Sequence, residues 1–188
     1  MLEFENLNSP LQHLDTINGV ELWLKREDKI HKHISGNKWR KLKYYLEDFK
    51  KSGKTSILTF GGAYSNHLAA TACLGWLLQI PTKAMVRGEE VVDNHTLDFC
   101  RKHGMEIESI SRKRYDTKDD HEFLELMALT LPDVYIIPEG GKGSLGVKGC
   151  TDIVKNLGEK FNFVCCAAGT GTTMAGLLLS NLECKFLL

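Results

Sequence analysis

Ser56-Ile57-Leu58-Thr59-Phe60-Gly61-Gly62-Ala63-Tyr64-Ser65-Asn66-His67 is the stretch that decides how this chain folds. Its first five residues are a short, mostly apolar run, preceded by Ser52-Gly53 and closed by two glycines. A run that short between turn residues is a buried strand. Residues 65–78 are rich in Ala and Leu and open on Ser65 and Asn66, both good N-cap types, so they form a helix. After Pro81, residues 82–86 are a second strand. Strand, glycine turn, helix and strand make one βαβ unit, and such units lay their strands parallel.

The alternation continues in both directions. Upstream, residues 21–26 alternate like a strand, and residues 37–51 place Leu42, Tyr45, Leu46 and Phe49 at helical spacing. Downstream, the pattern predicts helices over 92–102, 117–129, 147–157 and 172–180, the third weakened by Gly149. It predicts strands over 105–110, 134–137 and 161–166. The expected fold class is therefore α/β, with parallel sheets and helices on both faces. Residues 54–139 would form a small lobe of four strands. Residues 1–53 and 140–188 would belong together as a second, larger lobe, with Pro138-Glu139-Gly140-Gly141 as the crossover and Gly141-Lys142-Gly143-Ser144 as a mobile connection.

Composition narrows the function classes. The 188 residues are 43% hydrophobic and 26% charged, the balance of a globular chain. Lys plus Arg and Asp plus Glu are 24 each, so no overall charge draws the molecule to nucleic acid. No apolar run approaches the ~18–20 residues that span a bilayer. The acidic start, Met1 to Asn6, lacks the basic and apolar parts of a signal peptide. The six cysteines form no Cys-x-x-Cys pair and fit reduced, mostly buried thiols in a cytoplasmic protein. His31 and His33 stand alone, so no metal site is expected. The zero net charge hides a split: residues 25–54 carry 11 basic and 4 acidic residues, and residues 89–139 carry 13 acidic and 6 basic. The first segment suits either an anionic ligand or a solvated lysine-rich helix face.

Three glycine-rich turns carry the chemistry. In Gly169-Thr170-Gly171-Thr172-Thr173, between a strand and a helix, glycines let backbone N–H groups face a ligand and the threonines add hydroxyls. No Gly-Lys-Ser/Thr follows, and position 174 is Met where a dinucleotide fingerprint needs glycine, so the loop suits one phosphate group. A plain tight turn has the same look. In Gly61-Gly62-Ala63-Tyr64-Ser65-Asn66-His67 the polar groups either cap the helix or face an anionic oxygen. In Ser35-Gly36-Asn37-Lys38, Asn37 can cap the next helix and leave Lys38 in its first turn, one turn before Lys41. The helix dipole and Lys41 both lower the lysine pKa there, which favours a Schiff-base nucleophile. An amine, a polar turn and a monophosphate cradle together are what pyridoxal phosphate requires.

These motifs carry a resemblance. Residues 35–44, Ser-Gly-Asn-Lys-Trp-Arg-Lys-Leu-Lys-Tyr, resemble the Gly-Asn-Lys-x-Arg-Lys-Leu motif of the 1-aminocyclopropane-1-carboxylate deaminase / D-cysteine desulfhydrase family. Residues 60–67 resemble its Gly-Gly-x-x-Ser-Asn-His/Gln segment, and residues 167–176 its phosphate loop. The resemblance implies the fold-type II, tryptophan-synthase-β-like architecture and the cofactor pyridoxal 5'-phosphate. It implies Lys38 as the lysine that bonds the cofactor and then moves protons at the substrate. It implies Asn66 on the cofactor's phenolic oxygen and Gly169, Thr170, Gly171, Thr172 and Thr173 on its phosphate. Ser65 is implied both as carboxylate ligand and as a catalytic residue, with Asn66, His67 and Tyr64 also on the substrate side; Tyr64 stands where family members often have Gln. The implied activity is β-elimination from D-cysteine to pyruvate, ammonia and sulfide, with ring-opening deamination of the cyclopropane amino acid as the alternative. A small amino acid as substrate and a homodimer complete what the family implies.

Family chains are much longer than 188 residues. Their later portion supplies the group facing the pyridine nitrogen, so the expected large lobe is incomplete at its C-terminal side. A truncated, catalytically silent member of the fold is the third expectation.

Overall fold

The computed structural model describes residues 9–90, 93–155, 157–180 and 182–187. Residues 1–6, Val92 and Leu188, on which some expectations fall, lie outside the described residues.

The centre is a four-stranded parallel sheet. β3 (Ser56–Gly61), β4 (Thr82–Arg87), β5 (Met105–Ile110) and β6 (Val134–Ile137) stand in the order β5-β4-β3-β6. Ile57 pairs with Thr82 on one side and with Tyr135 on the other. The crossovers are α2 (Asn66–Leu78), α3 (His95–Lys102), and a short α4 (Arg112–Asp116) followed by α5 (His121–Thr130). Every residue from Ile57 to Gly61 is buried, as a strand covered on both faces must be. Period two divides them. Ile57 packs with Leu42, Tyr45, Phe49 and Leu74, on the side of α2 and of α1 (Asn37–Ser52). Leu58 and Phe60 pack with Tyr115, Phe123 and Met127, on the side of α4 and α5. Each such side chain contributes roughly 1.5–3 kcal/mol by leaving water.

Before this sheet lies a hairpin, β1 (Leu11–Ile17) and β2 (Val20–Lys25), of which only β2 was expected. Asn18 and Gly19 turn it with φ of 51° and 80°. Asn-Gly is the pair that a twisted two-residue hairpin turn demands, so the signal was present in the sequence. After the sheet come α6 (Ser144–Thr151), β7 (Phe163–Cys165), α7 (Thr172–Leu178) and β8 (Lys185–Leu187), with β7 and β8 paired in parallel. β8 was not foreseen.

Glycines set how α1, α6 and α7 pack. A Cβ on Gly149 of α6 would fall 1.8 Å from the Arg40 carbonyl oxygen of α1, and one on Gly176 of α7 would fall 2.3 Å from Cys150 Cβ of α6. Gly149, expected to weaken a helix, is what lets two helices touch along their backbones.

Boundaries moved for local reasons. The third helix starts at His95 because the Asn94 side chain accepts from the N–H groups of Thr96 and Leu97. The helix expected over 117–129 begins at His121, and Ser111 caps a separate short helix before it. The expected mobile connection 141–144 is instead held: the Tyr45 hydroxyl donates to the Lys142 carbonyl, and the Lys142 ammonium pairs with Asp119. No helix among the described residues is long and apolar enough to cross a membrane.

Candidate active site

α1 opens on Gly36, whose φ of 62° turns the chain sharply into the helix. Asn37 was expected to cap this helix, and it does not. Gly36 holds the cap position, and the Asn37 side chain instead donates to Thr173 Oγ1 at 2.7 Å. That bond ties the start of α1 to the start of α7 across the chain. Arg40 anchors the other side of the turn through Glu27, with Nε at 2.9 Å from the carboxylate.

Lys38, Lys41, Gly169, Thr170, Gly171 and Thr173 line one cavity of about 150 Å³, and among the described residues no carboxylate lines it. Burial pulls the Lys38 amine down to about 8, and the Lys41 charge pulls in the same direction. Lys41 is only 3% exposed, and burial lowers its pKa as well. The expected depression of Lys38 is present, with desolvation as its largest cause. Gly171, at φ 73°, turns the loop into α7. The Thr170 and Thr172 hydroxyls lie 2.9 Å apart; Thr172 is buried behind the loop, and Thr170 lines the cavity. Two amines, amides freed by glycines and threonine hydroxyls, with no acid among them, form a donor set for an anion.

The strand–helix turn was expected to face the same ligand, and none of Tyr64, Ser65, Asn66 and His67 lines this cavity. Ser65 caps α2, its Oγ accepting from Leu68 N–H at 3.4 Å, so it is half-buried and partly committed to the helix. Asn66 is exposed at the first helical position, and Tyr64 is 67% exposed with its ring against His95. Leu68 N–H is thus taken by the cap, and the earlier N–H groups of a first helical turn have no partner within the helix. His67 goes the other way. It is 1% exposed, with Nε2 at 2.8 Å from Thr59 Oγ1. Sequence reasoning had no signal for this, because Thr59 is eight residues away on β3.

Glu139, in the crossover, is engaged by Lys118 at 3.1 Å. The two glycines after it pass close to the site. A Cβ on Gly140 would lie 3.1 Å from the Thr170 methyl group, and one on Gly141 would lie 3.0 Å from Lys41 Cβ. The crossover therefore sits between the lysine helix and the phosphate-type loop, in space that only glycine leaves free.

Burial of His67, reinforced by the Lys38 and Lys41 charges, pulls its ring down to about 3. The unfolded chain takes up that proton near pH 6.5, so the stabilisation is complete at neutral pH and is lost as pH falls through that value. Urea unfolding at pH 7 and at pH 5 is expected to show an acid loss of up to about 1.4 kcal/mol per pH unit from this group. His67→Gln should flatten that slope; an unchanged slope would exclude His67 as its source.

Comparison with known proteins shows the family and the fold. A family model described as pyridoxal-phosphate dependent enzyme matches residues 2–183. A Thermotoga maritima protein named putative 1-aminocyclopropane-1-carboxylate deaminase is 35% identical over 183 residues, covering 90% of this chain and 57% of the relative. An Arabidopsis thaliana protein named bifunctional D-cysteine desulfhydrase/1-aminocyclopropane-1-carboxylate deaminase, mitochondrial, is 28% identical, covering 87% of this chain and 46% of the relative. The solved structure of an ACC deaminase homologue superposes with a TM-score of 0.79 at 31% identity, covering 95% of this chain and 57% of the other. The chain thus spans about half the length of the relatives it matches.

Proposed function

Because the chain belongs to the pyridoxal-phosphate dependent enzymes, we propose that its cavity holds this cofactor and that the protein eliminates or deaminates a small amino acid. The acid-free pocket joining the Lys38 amine to the glycine–threonine loop carries this reading. The donor set fits the group: an amine drawn toward neutrality for an aldehyde, and amides and hydroxyls for one phosphate. When bound, the cofactor supplies an electron sink for the substrate's α-carbon.

The chain's own residues divide the remaining work. Lys38 would hold the cofactor at its aldehyde and would move a proton at the substrate's α- or β-carbon. Gly169–Thr173 would hold the phosphate, and Lys41 beside it would offset the negative charge. Asn66 would donate to the phenolic oxygen. Ser65 and the amides of the turn to His67 would take the substrate carboxylate, with Tyr64 at the mouth. In this proposal the small lobe is residues 54–139 and carries the carboxylate turn; residues 1–53 and 140–188 form the larger lobe and carry the lysine and the loop. The six free thiols fit a reducing, cytoplasmic setting. A homodimer, as in the family resemblance, is part of the same proposal.

β-Elimination of D-cysteine to pyruvate, ammonia and sulfide is the favoured reaction. Sulfide release from D-cysteine by the cofactor-loaded protein tests it. Ammonia from the cyclopropane amino acid without sulfide from D-cysteine would transfer the assignment to ring opening, which the name of the Thermotoga relative favours. Asn37→Ala removes the bond to Thr173, worth about 0.5–1.5 kcal/mol. It should weaken cofactor binding about fivefold in a titration; unchanged affinity would show that the bond does not set the loop.

A further inference from the structure

The crossover from β6 to α6 packs against all three elements of the candidate site. A Cβ on Gly141 would lie 3.0 Å from Lys41 Cβ and 3.7 Å from His67 Cε1, and one on Gly140 would lie 3.1 Å from the Thr170 methyl group. The lysine helix, the start of α2 and the glycine–threonine loop thus meet at two glycines. Those glycines are a soft support. Gly140, Gly141 and Gly143 hold φ of 65°, 66° and 110°. Glycine reaches such angles freely, and it also loses the most freedom when it is fixed there. The segment therefore has to be held from outside.

Two charges flank these glycines, and one turn holds both. Lys118 and Asp119 follow α4, in the turn before α5. Lys118 Nζ stands 3.1 Å from Glu139 Oε2, at one end of the glycine segment. The Lys142 ammonium pairs with Asp119, beyond Gly140 and Gly141. Lys118 Nζ also lies 3.5 Å from Asp119, which joins the two pairs into one network of four charges. Lys118 is 9% exposed, and its ammonium sits 4.4 Å from the centre of the Tyr115 ring. A pair so covered is screened by water and salt less than a surface pair, and it is costly to break from one side. From α1, the Tyr45 hydroxyl donates to the Lys142 carbonyl and holds the same segment.

We infer that Lys118 and Glu139, with Asp119 and Lys142 as a second pair, are positioning residues that clasp the glycine crossover against Lys41 and Thr170, two residues lining the cavity. None of the four side chains lines the cavity itself, so they act through the backbone between them. The inference rests on the proposed function only for its consequence: a loosened clasp lets Lys41 and the loop drift apart and weakens cofactor binding.

The readout is access to the buried Lys41 in the cofactor-free chain. Acetylation of Lys41, followed by mass spectrometry, reports movement of the crossover. Alkylation of Cys100, buried on α3, reports opening of the core. Lys118→Met keeps the stem and removes the ammonium. It is expected to speed Lys41 acetylation about tenfold while Cys100 reacts at the wild-type rate. Lys118→Arg, which still offers Glu139 a cation, should keep Lys41 slow. An unchanged Lys41 rate in a folded Lys118→Met chain, or Lys41 and Cys100 rising together, would overturn the inference. Asp119→Asn tests the second, more exposed pair and is expected to speed Lys41 about threefold. Where Lys118→Met fails to fold, an unchanged Lys41 rate in Asp119→Asn refutes the inference. None of these rates uses the cofactor. Failure of the proposed function, seen as a wild-type chain that forms no absorbance band with pyridoxal phosphate, is therefore told apart from failure here.

Discussion

Replacing Lys38 by alanine is expected to abolish the visible absorbance band that the 188-residue chain forms with pyridoxal phosphate. Sulfide or ammonia release should fall with it, by about 10²–10⁴-fold, the span typical of losing a positioned proton-transfer group. Lys38 stands out from the chain's other lysines by its setting. It lies at the start of α1, lines the cavity with the glycine–threonine loop, and is drawn to about 8 by burial and by Lys41. Only the neutral amine attacks an aldehyde, so cofactor capture should speed up as pH rises toward about 8 and level off above it. A band that persists unchanged in Lys38→Ala would remove the lysine from its assigned role. A pH dependence running the other way would show that the protonated form is the one that matters.

Replacing Gly149 by alanine should be the most damaging single-methyl change in the fold. On helix propensity alone it would stabilise α6 by up to about 1 kcal/mol. The added methyl, however, would lie 1.8 Å from the Arg40 carbonyl oxygen and 2.7 Å from its carbon, and backbone cannot step aside as a side-chain tip can. Overpacking costs about 1–3 kcal/mol and more where backbone must move, so the overlap wins. A net loss of about 2 kcal/mol corresponds to a fall of about 4–8 °C in Tm for a chain of this size. The displaced residues, Arg40 and Lys41, stand two and three positions after Lys38 on the same helix, so cofactor affinity should fall as well. Gly62→Ala is the control, because nothing lies within 4 Å of its Cβ position and its φ is ordinary. A Gly149→Ala chain as stable as wild type would mean that α1 and α6 are not held at backbone contact.

Much of the fold was legible because its signals are local. The strands at 56–61, 82–87, 105–110 and 134–137 are short runs with Gly or Pro at one end or the other, and all four lie within a residue of where periodicity put them. The hairpin turn at Asn18-Gly19 was equally local and was passed over. The helix starts at 95 and 121 depended on which polar side chain found a cap first, and several candidates competed over a few residues. For the candidate site, the residue types and their order could be read in advance, and their partners could not. Asn37 looked like a cap by type, yet its amide reaches Thr173, 136 residues on. His67 looked like a polar helix-start residue, yet it turns inward to Thr59.

By itself, then, the sequence determined a parallel α/β chain and the three glycine turns that bear an amine, a polar helix start and an anion loop. Strand period and turn chemistry act over a few residues, so they are written where they act. The tertiary structure alone decided that Gly149 and Gly176 let helices meet backbone to backbone, and that Lys38 and Lys41 share one acid-free cavity. It alone left Nδ1 of His67 buried without a hydrogen-bond partner. Desolvation and hydrogen bonding depend on which atoms from distant segments displace water around a group, and sequence distance carries no record of that.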